Sequence, residues 1–359
     1  MHLVSANRLT LRASGQCFML VRADFHPTAC CRVQRSSKGP LCLRSQRHTR
    51  QRHLIRASQS NDSPEGSFQE ELLSATRRFQ ALEQYRQLLR QNPAEIDLVQ
   101  AALLIAKHRH PLLDEAQCNK ELSQLVEAVH ASLPSTSEQP GFQLVYITKH
   151  LGQAVGFKGN DKDYYNPDNS CINMVLQSHT GIPITLGLLY MAVAQRLGLQ
   201  LHGLNLPGHF MIGNNIEGVT NLLVDPFDGF KLCSLTDVEE MFAQRYSSEL
   251  RLSTALVTRS QLVMSTPTVL VRILSNLKNI YTGLQQADKV LQITDYLRAT
   301  RDVAEDIRDA GLCLFSVQRY ADSAELLQQY LAQNPSAQDK PQTEAVLNRI
   351  YRLLQKPSM

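Results

Sequence analysis

From Ile184 to Leu199 the chain is apolar nearly all round, and its polar residues are confined to Thr185, Gln195 and Arg196. That pattern predicts a buried helix. Pro183 fits its first turn, where a backbone N–H has no helical partner, and Gly198 fits its end. Shorter runs follow. LQLHGLNL (199–206) reads as a strand, Pro207-Gly208 as a turn into a second strand at His209–Ile212, and Leu222–Pro226 as a third that stops at proline. Upstream, Phe68–Gln91 spaces Leu72, Phe79, Leu82, Tyr85, Leu88 and Leu89 as one helix face. Glu95–Arg109, Leu112–Leu133 and Gln143–Val155 predict further helices. Gly156–Ser178 lacks apolar periodicity and is rich in Asp, Asn and Tyr, so it reads as a structured loop at the rim of a cleft. Its acidic spacing does not fit a calcium-binding EF-hand loop.

The C-terminal third repeats itself. NLKNIYTGLQQADKVLQITDYL (276–297) aligns with AGLCLFSVQRYADSAELLQQYL (310–331) at an offset of 34 residues. Tyr281 meets Phe315, Ala287-Asp288 meets Ala321-Asp322, and Tyr296-Leu297 meets Tyr330-Leu331. Such a period is tetratricopeptide-like. Two units with Gln342–Gln355 as a cap fall short of the three usually needed alone, so the array is expected to lean on the rest of the chain.

The order of elements around the apolar helix carries the candidate chemistry. A tight turn opens a buried helix, a strand then carries His209, and a third strand ends in Asp225-Pro226. This is the layout of a papain-like or transglutaminase-like core. There a cysteine at the helix start is held as thiolate by the helix dipole. A histidine acts as base, and an Asp or Asn fixes its tautomer. Here the turn is Gly181-Ile182-Pro183, and proline offers no nucleophile. Gly181, Ile182, Pro183, Asn169, Gly208 and Asp228 are the expected cleft residues around His209 and Asp225.

Residues 95–231 resemble the SirB-type family of transglutaminase-like proteins. The resemblance rests on AALLIAKHRHPLLD (101–114), GFKGNDKDYYNPDNSCINMVL (156–176), GIPITLGLLYMAVAQRLGL (181–199), PGHF (207–210) and DPFDG (225–229). It implies that His209 and Asp225 stand where transglutaminases keep their catalytic His and Asp, and Pro183 where they keep the Cys. The implied fold is α+β. A helical N-terminal section precedes a papain/transglutaminase-like core with a small antiparallel sheet, and α-helical tetratricopeptide-like repeats follow. The expected division is 68–262 for the core domain with its leading helices and 263–359 for the repeats.

Two functions fit. One is a non-catalytic scaffold or regulatory module whose cleft and repeats bind a protein or peptide partner. The other is a cysteine-dependent acyl-transfer enzyme or protease that uses a displaced thiol, Cys171 or Cys233. The bland reading of Cys171 is a small buried residue beside Ile172. Cys118, Cys171, Cys233 and Cys313 are widely spaced, and His108 and His110 at i, i+2 do not share a helix face, so both histidines read as ordinary polar residues at a helix end. No metal and no cofactor is expected.

Charge then divides the chain. Residues 1–57 hold 11 Lys/Arg against Asp24 alone, a balance of +10; the whole chain carries +4, so the remainder carries −6. An Arg- and Ser-rich, acid-poor leader is the mark of an organelle transit peptide. The Arg56-Ala57-Ser58 junction points to a chloroplast, with a mitochondrion as the alternative, and 58–67 reads as a linker. The mildly acidic body offers no basic face for nucleic acid. No run of 18 apolar residues predicts a membrane span.

Overall fold

A computed structural model describes residues 64–134, 140–246, 251–254, 257 and 262–355. The expected transit peptide and the first part of the expected linker lie outside these residues. The rest of that linker is helical, because α1 spans Pro64–Leu88 and opens on a proline suited to a first turn. Two short acidic caps set the next helices. Asp97 accepts from the Val99 and Gln100 N–H groups to start α2 (Leu98–Ala106), and Asp114 accepts from Ala116 and Gln117 to start α3 (Glu115–Ser132). α4 (Pro140–Thr148) runs into a π-helical turn at Lys149–Val155, which left-handed Gly156 ends. β1 (Lys158–Gly159) follows.

The segment expected to be loop contains a 3₁₀ turn at Pro167–Ser170 and a true helix, α5 (Ile172–Ser178). Ile172, Val175 and Leu176 are buried at i, i+3 and i+4. Seven residues are too few to raise a period above their Asn- and Asp-rich neighbours. β2 (Thr180–Gly181) pairs parallel with β1, and α6 (Pro183–Arg196) begins two residues later.

An antiparallel sheet comes next, in the order β3 (Leu201–Leu206), β4 (His209–Asn214), β5 (Leu222–Asp225) and β6 (Lys231–Ser234). The fourth strand and the following α7 (Leu235–Tyr246) are additions to the sequence reading. Strand alternation sorts the two faces. Phe210, Ile212 and Val224 join the main core with α6. Leu204, Leu206, Met211 and Leu223 pack instead with Val238 and Phe242 of α7.

The C-terminal helices are α8 (Thr266–Gly283), α9 (Ala287–Thr300), α10 (Ala304–Ser316), α11 (Tyr320–Gln333) and α12 (Lys340–Leu354). The repeat register of 34 needs correction to 33. Gln285 and Gln318 are the matching left-handed residues between helices, and Gln286 N–H to Tyr281 O matches Arg319 N–H to Leu314 O. The described residues form one compact unit. Leu277, Tyr281, Ile293 and Tyr296 belong to the same core cluster as α6. Tyr296 Oη donates to Leu104 O at 3.0 Å, so α9 is tied to α2.

His108 corrects the reading of an ordinary helix-end residue. It is 1% exposed, with Nδ1 2.7 Å from Ile105 O and Nε2 2.7 Å from Tyr281 Oη. Burial pushes its pKa down to about 3. The unfolded chain therefore takes up a proton below about pH 6.5 that the folded chain refuses. Stability from the neutral ring is complete above that pH and is lost as pH falls toward 3. Between pH 6.5 and 5 this site is expected to cost about 2 kcal/mol. Urea titrations at the two pH values check it: His108→Gln should flatten the loss by about that amount, and an unchanged slope would refute the assignment.

Candidate functional site

The start of α6 is held by the loop before it. Ile182, extended and without a side-chain cap, donates its N–H to Asn169 O at 3.4 Å. Thr185 Oγ1 donates to the same carbonyl at 2.6 Å. Asn169 in turn is 3% exposed, and its Nδ2 donates to Asp163 O at 2.7 Å and Tyr164 O at 3.1 Å. Asn160 N–H donates to Gly181 O at 3.0 Å, and Gly159 N–H to Phe227 O at 2.9 Å. A Cβ on Gly159 would lie 2.3 Å from the Phe227 ring, so only glycine lets the two segments meet there. The helix start, the loop and the turn after β5 are thereby joined at one end of the sheet.

His209 and Asp225 come together at that end. His209 Nε2 lies 3.1 Å from Asp225 Oδ2, and each side chain is 11% exposed. Asp225 Oδ1 accepts from the N–H groups of Phe227 at 2.9 Å and Asp228 at 3.4 Å. Burial pushes the Asp225 pKa up, but the His209 hydrogen bond and charge, with the two backbone N–H groups, outweigh it and hold the carboxyl below its ordinary range. The carboxylate thus directs the imidazole through Nε2 and leaves Nδ1 for another group.

Alternation puts His209 and Asp225 on the sheet face of Met211 and Leu223, whereas α6 packs on the face of Phe210 and Ile212. The bonded path from the dyad to half-buried Pro183 runs around the sheet end, through Phe227, Gly159 and Gly181. Gly181 and Ile182 are buried beneath it, while Gly208 and Asp228 are exposed at its edge.

The candidate thiols sit in poor surroundings for a nucleophile. Cys171 is fully buried, its Sγ donates to Pro167 O at 3.6 Å, and burial pushes its pKa up. Burial pushes Cys233 up to about 11. Among the described residues, donor atoms of His110, Asp168 and Cys171 lie within 4.8 Å of one another. Arg109 already clasps Asp168 at 2.6 and 3.3 Å, and His110 reaches it at 2.8 Å. That fixed guanidinium charge opposes a metal cation, and the cluster reads as an ion-pair network between α2 and the 3₁₀ turn.

A groove of about 500 Å³ lies near that network, lined in part by Leu112, Gln117, Asn173 and Met174 and by no residue of β4 or β5. Sequence reasoning passed over Arg272 of α8. Its Nη1 donates to Asn205 Oδ1, and its guanidinium stands 5.8 Å from the Phe210 ring centroid. No local pattern links α8 to the end of β3, so the sequence held no signal for it.

Residues 116–275 match the profile of the transglutaminase-like superfamily. The chain is 30% identical over 245 residues to a UPF0162 protein of Xylella fastidiosa, covering 67% of this chain and 85% of that one. It is 27% identical over 218 residues to a UPF0162 protein of Vibrio cholerae, covering 60% and 78%. It is also 30% identical over 173 residues to F-box only protein 21 of Mus musculus, covering 46% of this chain and 26% of that one. No solved structure matches. The chain belongs to the UPF0162 family, and its residues 116–275 form a transglutaminase-like domain.

Proposed function

We propose that this protein is a non-catalytic transglutaminase-like module of the SirB type that binds a peptide or protein partner. Pro183 carries the reading. The helix start that would activate a thiol has a residue without a nucleophile, while His209 and Asp225 remain hydrogen-bonded. The buried surroundings of Cys171 support the same reading over a displaced-thiol enzyme. The C-terminal helices are read as tetratricopeptide-like and as a second partner surface. The Arg-rich, acid-poor composition of 1–57 supports action in the chloroplast.

Reaction with an electrophilic thiol reagent near neutral pH, with each modified cysteine mapped, tests this. All cysteines of 64–355 are expected to react no faster than a free thiol with pKa near 8.5. Rapid stoichiometric labelling of Cys171 or Cys233 would establish the enzyme reading instead.

A further inference from the structure

The sheet end that carries the dyad on one face carries, on the opposite face, a cation with no anion beside it among the described residues. Arg272 reaches it from α8, over Phe210 and against Asn205. Asn205 pairs with Phe210 across β3 and β4, beside the Leu206–His209 pair. Tyr164, whose ring meets Phe227 at 5.9 Å, is its electrostatic neighbour. Three other half-buried arginines hold carboxylates, Arg109 with Asp168, Arg301 with Asp306, and Arg308 with Asp309 and Asp339, whereas Arg78 donates to the backbone carbonyl of His108. Among the described residues no carboxylate lies within ion-pair distance of Arg272. Burial pushes its pKa down, and the charge of Tyr164 pulls the other way. It still carries its charge at neutral pH, because no protein site deprotonates arginine.

A guanidinium has five donors in a planar fork, and here one is directed to a neutral amide oxygen. The charge is half-buried, its contact with Asn205 is open to solvent, and a carboxylate is the bidentate match to its fork. One guanidinium balances one carboxylate, whereas a phosphate dianion would leave a charge over.

We propose that Arg272, with Asn205 and Tyr164 beside it, is the carboxylate-binding end of the cleft, and that the peptide bound there presents a carboxylate to it. This rests on the reading of the cleft as a peptide site. The carboxylate belongs to a chain terminus or to an acidic side chain, and the two are separable.

Calorimetric titration of the protein uses acetyl-trialanine with a free C-terminus, its C-terminal amide, and acetyl-Ala-Glu-Ala amide. One of the two carboxylate peptides is expected to bind about ten- to hundredfold more tightly than the neutral amide, and which one identifies the source. Arg272→Gln should remove that preference at an unchanged melting temperature. Arg272→Lys keeps the charge but not the fork, and should lose most of it; it serves if the Gln variant folds poorly. Equal binding of the neutral peptide, or a preference that survives both substitutions, overturns the inference and leaves the peptide-site reading standing. Binding of none of the three also overturns it, and the non-catalytic reading is then judged separately by the thiol labelling.

Discussion

Alanine in place of Phe210 is expected to lower the unfolding free energy by about 3–5 kcal/mol. The ring is fully buried. A Cβ on Gly187 of α6 would lie 2.3 Å from it, and a Cβ on Gly203 of β3 would lie 2.7 Å from it. The ring therefore fills space that two absent side chains leave, and it sets the spacing between the helix opened by Pro183 and the strand opened by His209. Gly187 supplies the sharper test. Glycine inside a helix ordinarily costs about 1 kcal/mol against alanine, so Gly187→Ala would stabilise an exposed helix. Here the sign should reverse, with a loss of about 1–3 kcal/mol from overpacking. In the Phe210→Ala background the same change should become neutral or stabilising. Chemical denaturation of the four proteins checks this. Additive losses would mean that the ring does not set the spacing.

That contact also shows where sequence reading stops. The apolar wrap of Ile184–Leu199 made α6 legible, yet nothing in it distinguishes Gly187 from a weak helix position. The distinction lies in Phe210, 23 residues away on another element. The Asp225 contact of His209 was legible through the resemblance to a transglutaminase-like layout, while the strand-ending Asp225-Pro226 and the Pro207-Gly208 turn marked only where the two strands stop and start. The helix α5 was hidden by its length, and β6 by having only Leu232 and Cys233 between Lys231 and Ser234.

The repeat register slipped for a different reason. Ala287-Asp288 and Ala321-Asp322 match by identity at 34, but the helix starts are set by left-handed Gln285 and Gln318. A glycine would have marked those turns; glutamine in that conformation gives no sequence signal. His108 was misread because its partner Tyr281 arrives 173 residues later. Arg272 is the same case, since its partner Asn205 lies 67 residues earlier.

The other large effect concerns the position that proline fills. Pro183→Cys is expected to create the most reactive thiol among the described residues. The substitution opens a helix, where the lost ring costs little because the restored N–H needs no helical partner. The helix dipole should bring the introduced thiol below the free value of about 8.5. Cys171, by contrast, is fully buried with its thiol pushed up. Alkylation by iodoacetamide at pH 7 should therefore favour the new site over Cys171 by at least about tenfold. His209 adds a separable contribution, since it lies on the sheet face opposite α6 and reaches the helix start only around the sheet end. In the double variant with His209→Ala, the dipole effect should persist and any imidazole effect should vanish. A rate that falls on removal of His209 places the ring and the helix start in one cleft. A rate that does not change leaves the dyad as a buried structural pair and the helix start as a separate surface. An introduced thiol no faster than Cys171, in a protein with an unchanged melting temperature, would mean that position 183 is not the place from which a nucleophile was lost.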